Sequence, residues 1–234
     1  MKYERKEVMS LFLGPMQQHI PGKKSLTDHS DAKILKPAKC VYIPVFTGRD
    51  GNVEMLVNEG DHVDIGTKLF TTKTGFEVPV YSSVSGTFTG LAKRPHNSLK
   101  PQQHMVIELD EVQTQIQSFK PMDWKTADQK EMVEFMKQTG IIGQGGAGFP
   151  TYVKYLNPDG INTLLINAVE CEPYITADYK IVMDNVEDFV EGCRILQKMA
   201  GAEECLICIK KTHPDIIDYV RKELARQQAS GMRV

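Results

Sequence analysis

Residues Gly143-Gln-Gly-Gly-Ala-Gly148 place four glycines and an alanine in six positions, followed by Phe149-Pro-Thr151 and a segment carrying Lys154. Main chain without side chains lets successive N–H groups approach an anion closely, and a helix starting at Thr151 would aim its positive end at the same point. Lys154 adds a full charge one turn in. A phosphate is the natural occupant, although the same glycines also suit a tightly packed turn that holds nothing. The pattern is not the P-loop, which requires Lys and Ser or Thr directly after the last glycine. Nor is it the dinucleotide fingerprint, since no strand clearly precedes it.

A second group, Asn167-Ala-Val-Glu-Cys-Glu-Pro-Tyr174, stands at the carboxyl end of a predicted strand, where ligands bind in open α/β sheets. An amide, a phenol and two carboxylates one residue apart suit hydrogen bonds to a heteroaromatic ring and a ribose better than acid–base work. A solvated loop with a helix cap is the plainer alternative. No residue is assigned as a catalytic acid or base, and no metal-ligand spacing is found.

The elements that must position these groups follow from periodicity. From Ala38 to Leu109 short β-type runs recur, Cys40–Phe46, Val53–Val57, Lys68–Thr72, Glu77–Val80 and Gly86–Thr89, with turn residues at Asn58–His62 and Ser83–Gly86. That describes a small all-β unit. After Gln113 the pattern changes to amphipathic segments alternating with apolar strands, with Phe119-Lys-Pro-Met122 as the connector, so the expected division is 1–118 and 119–234. Thr126 and Asp128 are candidate caps of a helix running to about Gln138 and stopped by Gly140. A helix from about Thr151, a strand Thr163–Asn167, a helix from about Asn185 to Met199, a strand at Cys205 and a helix from Pro214 to about Gln228 follow. Met232-Arg-Val234 reads as the opening of another strand, so the second domain is expected to be an α/β fold with a parallel sheet, truncated at its C-terminal end.

Bulk properties exclude several classes. The chain has 234 residues and a formal net charge of −2, with 28 basic and 30 acidic residues, which gives no attraction to nucleic acid or an anionic membrane. No apolar run is long enough to span a bilayer, and Met1–Ser10 lacks the apolar core of a secretory signal. A cytoplasmic protein is expected. Five cysteines scattered over the chain do not form a disulfide framework. Cys205 and Cys208 make a C-x-x-C inside a predicted strand, where alternation sends them to opposite faces.

Taken together, the motifs are more specific than either is separately. Gly140-Ile-Ile-Gly-Gln-Gly-Gly-Ala-Gly-Phe-Pro-Thr-Tyr-Val-Lys154, followed by Ile166-Asn-Ala-Val-Glu-Cys-Glu-Pro-Tyr-Ile-Thr-Ala-Asp178, resembles the C subunit of the Rnf electron-transport complex. That family is similar to the flavin-bearing 51 kDa subunit of respiratory NADH dehydrogenase. It also includes the cobalamin reductase of propanediol utilisation and an electron-transfer protein linked to proline reductase. His19-Ile-Pro-Gly-Lys23, Val63-Asp-Ile-Gly-Thr-Lys68 and Val80-Tyr-Ser-Ser-Val-Ser-Gly86 resemble the family's barrel-sandwich hybrid domain, so the likeness covers nearly the whole chain.

The resemblance implies a barrel-sandwich hybrid domain followed by a Rossmann-like FMN-binding domain. It implies FMN held by Gly143, Gly145, Gly146, Ala147 and Lys154, with Asn167 and Glu170 near the phosphate, ribityl or ring. Glu172 would face the nicotinamide of NADH, and Phe149 would lie against the nucleotide. Hydride would pass from nicotinamide to flavin N5, and electrons would leave singly toward 4Fe-4S clusters in the part beyond Val234. The partners implied are NADH and other electron-transfer subunits, through which the chain would sit peripherally on the inner face of the cell membrane. Two departures bear on flavin affinity. Val169 stands where the respiratory subunit has an acidic residue, and Gln144 where it has a basic one.

Other readings of the residues remain open. Asn58–Leu69 with Val84-Ser-Gly86 also fits a lipoyl or biotinyl carrier, with Lys73 about where the acylated lysine would stand, although Thr72 replaces the expected acidic residue. A docking module without cofactor is a third class. The histidines show no ligand spacing, Met132, Met136 and Trp124 read as core, and Lys210-Lys-Thr-His213 reads as a solvated turn or a phosphate contact.

Overall fold

A computed structural model describes residues 21–35, 38–45, 52–73, 75–96, 98–143 and 148–234. In chain order the strands of the N-terminal half are β1 (Cys40–Pro44), β2 (Val53–Met55), β3 (His62–Val63), β4 (Lys68–Thr72), β5 (Pro79–Tyr81), β6 (Gly86–Arg94) and β7 (Gln102–Leu109). They form two antiparallel sheets, β1-β7-β6-β3 and β2-β4-β5. Val63, Leu69, Phe70, Phe88, Met105 and Ile107 fill the space among them. The pairing of β6 with β7 shifts register between Phe88 and Gly90, so that Thr89 forms a bulge that bends the ribbon. β7 and the short β3 are absent from the runs picked out in the sequence. β7 opens on the polar run Gln102-Gln-His104, which hides it, and His62–Val63 is too short to show alternation.

Helix α1 (Gln129–Thr139) begins with a capping box: Asp128 accepts from the Glu131 N–H at 2.8 Å, and Glu131 accepts from the Asp128 N–H at 2.8 Å. Gly140 ends it in the left-handed region at φ 70°, as the sequence requires. Met132 and Val133 bury the inner face of α1 against Tyr152, Tyr155 and Met199, with Trp124 and Met136 packed at the edge.

Next come β8 (Thr163–Ala168), α2 (Ala177–Asp184), α3 (Val186–Ala200), β9 (Glu204–Ile209), α4 (Pro214–Arg226) and β10 (Met232–Arg233). The three strands form a sheet in the order β10-β9-β8. Cys205 is buried and Cys208 exposed, on opposite sides of β9 as alternation dictates. Burial pushes the Cys193 thiol up to about 12, so it is inert.

One expectation needs correction. The segment after the glycine loop is not an α-helix but a single 3-10 turn, Thr151–Tyr155. Its β-branched and aromatic residues favour helix poorly, and Pro158 two positions after Leu156 denies the chain an extension. The helix α2 has no counterpart in the sequence reading, because Tyr174-Ile-Thr-Ala-Asp178 reads as loop until its tertiary bonds are known.

Two compact units are distinguished: residues 33–164 with 192–205, and residues 1–32 with 165–191 and 206–234. Within the first, a Cβ on Gly140 would stand 2.2 Å from the Pro79 carbonyl oxygen. Gly140→Ala therefore meets both left-handed strain, about 1 kcal/mol or more, and a backbone clash, whereas Asp128→Ala loses only a cap, about 1 kcal/mol. Thermal unfolding should show the larger fall for Gly140→Ala.

Candidate functional site

The glycine loop is closed at its base by main chain. Ile142 and Pro150 pair as an antiparallel bridge, the Gly143 N–H donates to the Phe149 carbonyl at 2.9 Å, and the Thr151 N–H donates to Ile141 at 3.0 Å. The Gly143 amide is thereby committed to the base of the loop and does not face an anion. Gly145, Gly146 and Ala147, with Gln144, lie outside the described residues. Among the described residues a Cβ on Gly143 would meet the Phe149 main chain, at 3.7 Å and 4.0 Å, which is ordinary contact. Packing among those residues does not demand glycine there. Gly148 differs, since its φ of 64° is a backbone requirement.

Lys154 lies on the 3-10 turn with its side chain exposed, and has no hydrogen-bond or ion-pair partner among the described residues. The Phe149 ring meets Phe76 edge to face at 5.5 Å yet stays 42% exposed, leaving one side open for stacking. A pinched loop with small residues, an uncommitted ammonium and a half-open ring together suit a phosphorylated, planar ligand.

In the other unit the acidic loop follows β8. Asn167 is exposed, and its Oδ1 accepts from the Val169 N–H at 3.1 Å, which starts the turn. Glu170 is directed into the protein: Oε2 pairs with Lys24 Nζ at 3.3 Å, and Oε1 accepts from the Asp178 N–H at 3.0 Å at the start of α2. Glu172 keeps its carboxylate exposed while its main-chain carbonyl accepts from Lys24. Lys24 could not be found from sequence, for it lies 146 residues from Glu170 and carries no local signal.

A small cleft at the ends of β8 and β9 is lined by Ala168, Glu170, Tyr179, Ile209, Lys210 and His213. Lys210 therefore stands at a cleft rather than on a freely solvated turn. The Tyr179 hydroxyl donates to Asp215 of α4, and the His213 ring tilts against it at 5.1 Å. That hydrogen bond, helped by burial, pushes the Tyr179 phenol up to about 12, and the same bond holds Asp215 below its ordinary value. Lys73, between β4 and β5, forms an ion pair with Glu54, and His62 is bonded to Asp110 at 2.6 Å.

Comparison with known proteins gives these arrangements their context. Residues 15–112 match the RnfC barrel sandwich hybrid domain, and residues 136–234 match the Nuo51 FMN-binding domain. The chain belongs to the RnfC family. Among solved structures, an NAD+-reducing [NiFe]-hydrogenase in the H2-reduced state is 21% identical, with a TM-score of 0.41. The likeness covers 45% of this chain and 19% of that one, so the RnfC-family chain spans under a fifth of that protein chain. Both motifs fall inside the residues that match the FMN-binding domain. Among the described residues no helix is long and apolar enough to cross a membrane.

Two expected outcomes follow from this geometry. Gly143→Ala should leave unfolding free energy within about 0.5 kcal/mol of the parent, while Gly148→Ala should cost about 1 kcal/mol or more, as read by denaturant unfolding. The Tyr179–Asp215 bond should also make stability depend on pH at both ends. A depressed Asp215 contributes above its unfolded value of 3.8 and is lost as pH falls through the lower folded value. A raised Tyr179 contributes below its unfolded value of 10.0 and is lost as pH climbs through about 12. The difference in Tm between parent and Tyr179→Phe should be full near neutrality and shrink in both windows.

Proposed function

We propose that this RnfC-family chain binds FMN and takes electrons from NADH, passing them toward the iron–sulfur clusters of a larger complex. The observation that carries the reading is Gly143. It is a glycine inside the matched FMN-binding domain that packing among the described residues leaves unexplained, in the same segment as an exposed Lys154 with no partner among those residues. Bound FMN supplies the conversion of two-electron chemistry into single-electron steps.

The chain's own part is placement and charge. Gly143 closes the base of the loop and, by lacking a side chain, keeps its outer surface clear. Gly145, Gly146 and Ala147 offer main-chain N–H groups to the phosphate, and Lys154 neutralises it. Asn167 is assigned to the ribityl or ring, and Glu170 to holding the loop from which Glu172 meets the nicotinamide. Phe149 offers its open side to the nucleotide. The two domains are taken to divide at 118/119, with other electron-transfer subunits as partners. The setting is cytoplasmic and peripheral on the inner face of the membrane.

Titration of FMN into the intact chain, followed by flavin fluorescence and visible absorption, tests this. Lys154→Ala should weaken binding by about 1 to 3 kcal/mol, the range for a charge-assisted hydrogen bond, and Gly146→Val should abolish it. Anaerobic NADH should bleach the bound flavin. A spectrum that stays that of free flavin at saturating protein would end the proposal.

A further inference from the structure

The N-terminal arm contains a buried cation that the assignment above does not use. Lys24 is 8% exposed, and each of its three N–H donors has an acceptor: Glu170 Oε2 at 3.3 Å, the Glu172 carbonyl at 3.0 Å and the Ile175 carbonyl. Thr27, one turn on, donates its hydroxyl to the Tyr174 carbonyl at 2.7 Å, and the Tyr174 N–H donates to the Gly22 carbonyl at 2.8 Å. Tyr174 itself is held at φ 63°, a conformation that a residue with a side chain does not adopt unaided. Five bonds from Gly22, Lys24 and Thr27 thus fix the acidic loop, and the loop's main chain turns inward wherever they act. The only carboxylate it leaves outward is Glu172.

We infer that Lys24 is a positioning residue: its ammonium orders residues 170–176 so that the Glu172 carboxylate is presented to the nicotinamide nucleotide. The arm is then a working part of the nucleotide site. The role of Glu172 rests on the proposed function, whereas the ordering of the loop does not.

Hydrogen exchange in the intact chain measures the ordering without any ligand. In Lys24→Met the amides of Tyr174 and Asp178 should exchange at least tenfold faster, while those of the β6–β7 pair stay at the parent rate. Thr27→Val, which removes one hydroxyl of nearly the same shape, should accelerate the Tyr174 amide about threefold and serves if Lys24→Met does not fold. Parent-like exchange at both amides in whichever variant folds overturns the inference.

NADH reduction of bound flavin then separates placement from general damage. Half-saturation for NADH should rise about tenfold in Lys24→Met, with FMN affinity changed less than twofold, because the glycine loop and not the arm holds the phosphate. Equal losses for FMN and NADH also overturn it. If the parent chain binds no FMN, the proposed function fails, while the exchange rates still decide what Lys24 does.

Discussion

An ammonium group has three hydrogens, and in this chain one ammonium spends all three on a single loop. The acidic loop after β8 carries two carboxylates and turns the carbonyls of Glu172 and Ile175 toward the Lys24 ammonium, an arrangement that concentrates negative charge and acceptors in one place. Lys24 supplies the missing donors and the opposite charge in one side chain. Because both partners are shielded from water, neither can be removed alone without stranding the other. For buried pairs that imbalance is on the order of 3–5 kcal/mol.

The glycine loop obeys a different constraint. Its ends are joined by main-chain bonds, and the segment beyond it is too short a turn to add the electric field of aligned peptides. Attraction for an anion must then come from main-chain N–H groups and from Lys154, whose full charge exceeds what the end of a long helix supplies, about half a charge. A phosphate site built this way is more sensitive to one lysine than a helix-based site is.

How much of this the sequence discloses depends on the range of the interaction. Asp128, Glu131 and Gly140 act within one helix, and their spacing shows both its start and its stop. Cys205 and Cys208 show their opposite faces by parity alone. The strands β4 and β6 were visible because β-branched and aromatic residues cluster there, whereas β7 was not, its first residues being polar and its burial imposed by neighbours. The 3-10 turn at Thr151 reads as a helix in the sequence because the glycines before it imitate a helix entry, whereas Tyr152 and Tyr155 fix the turn by packing. Of the residues that the motif singles out, Asn167, Glu172 and Phe149 are exposed. Glu170 belongs to the same motif, yet its partner, Lys24, lies 146 residues earlier, and no local pattern connects them.

That separation has a bearing on the order of events during synthesis. The donors of the arm are made first and their acceptors 146 to 151 residues later, so the loop cannot be pinned until most of the polypeptide has emerged and its beginning has come back. Closing so long a loop costs chain entropy that local hairpins do not incur, and such contacts form late. The small β unit can mature on its own while the arm waits. The acidic loop therefore takes its final shape only once the arm has returned to it.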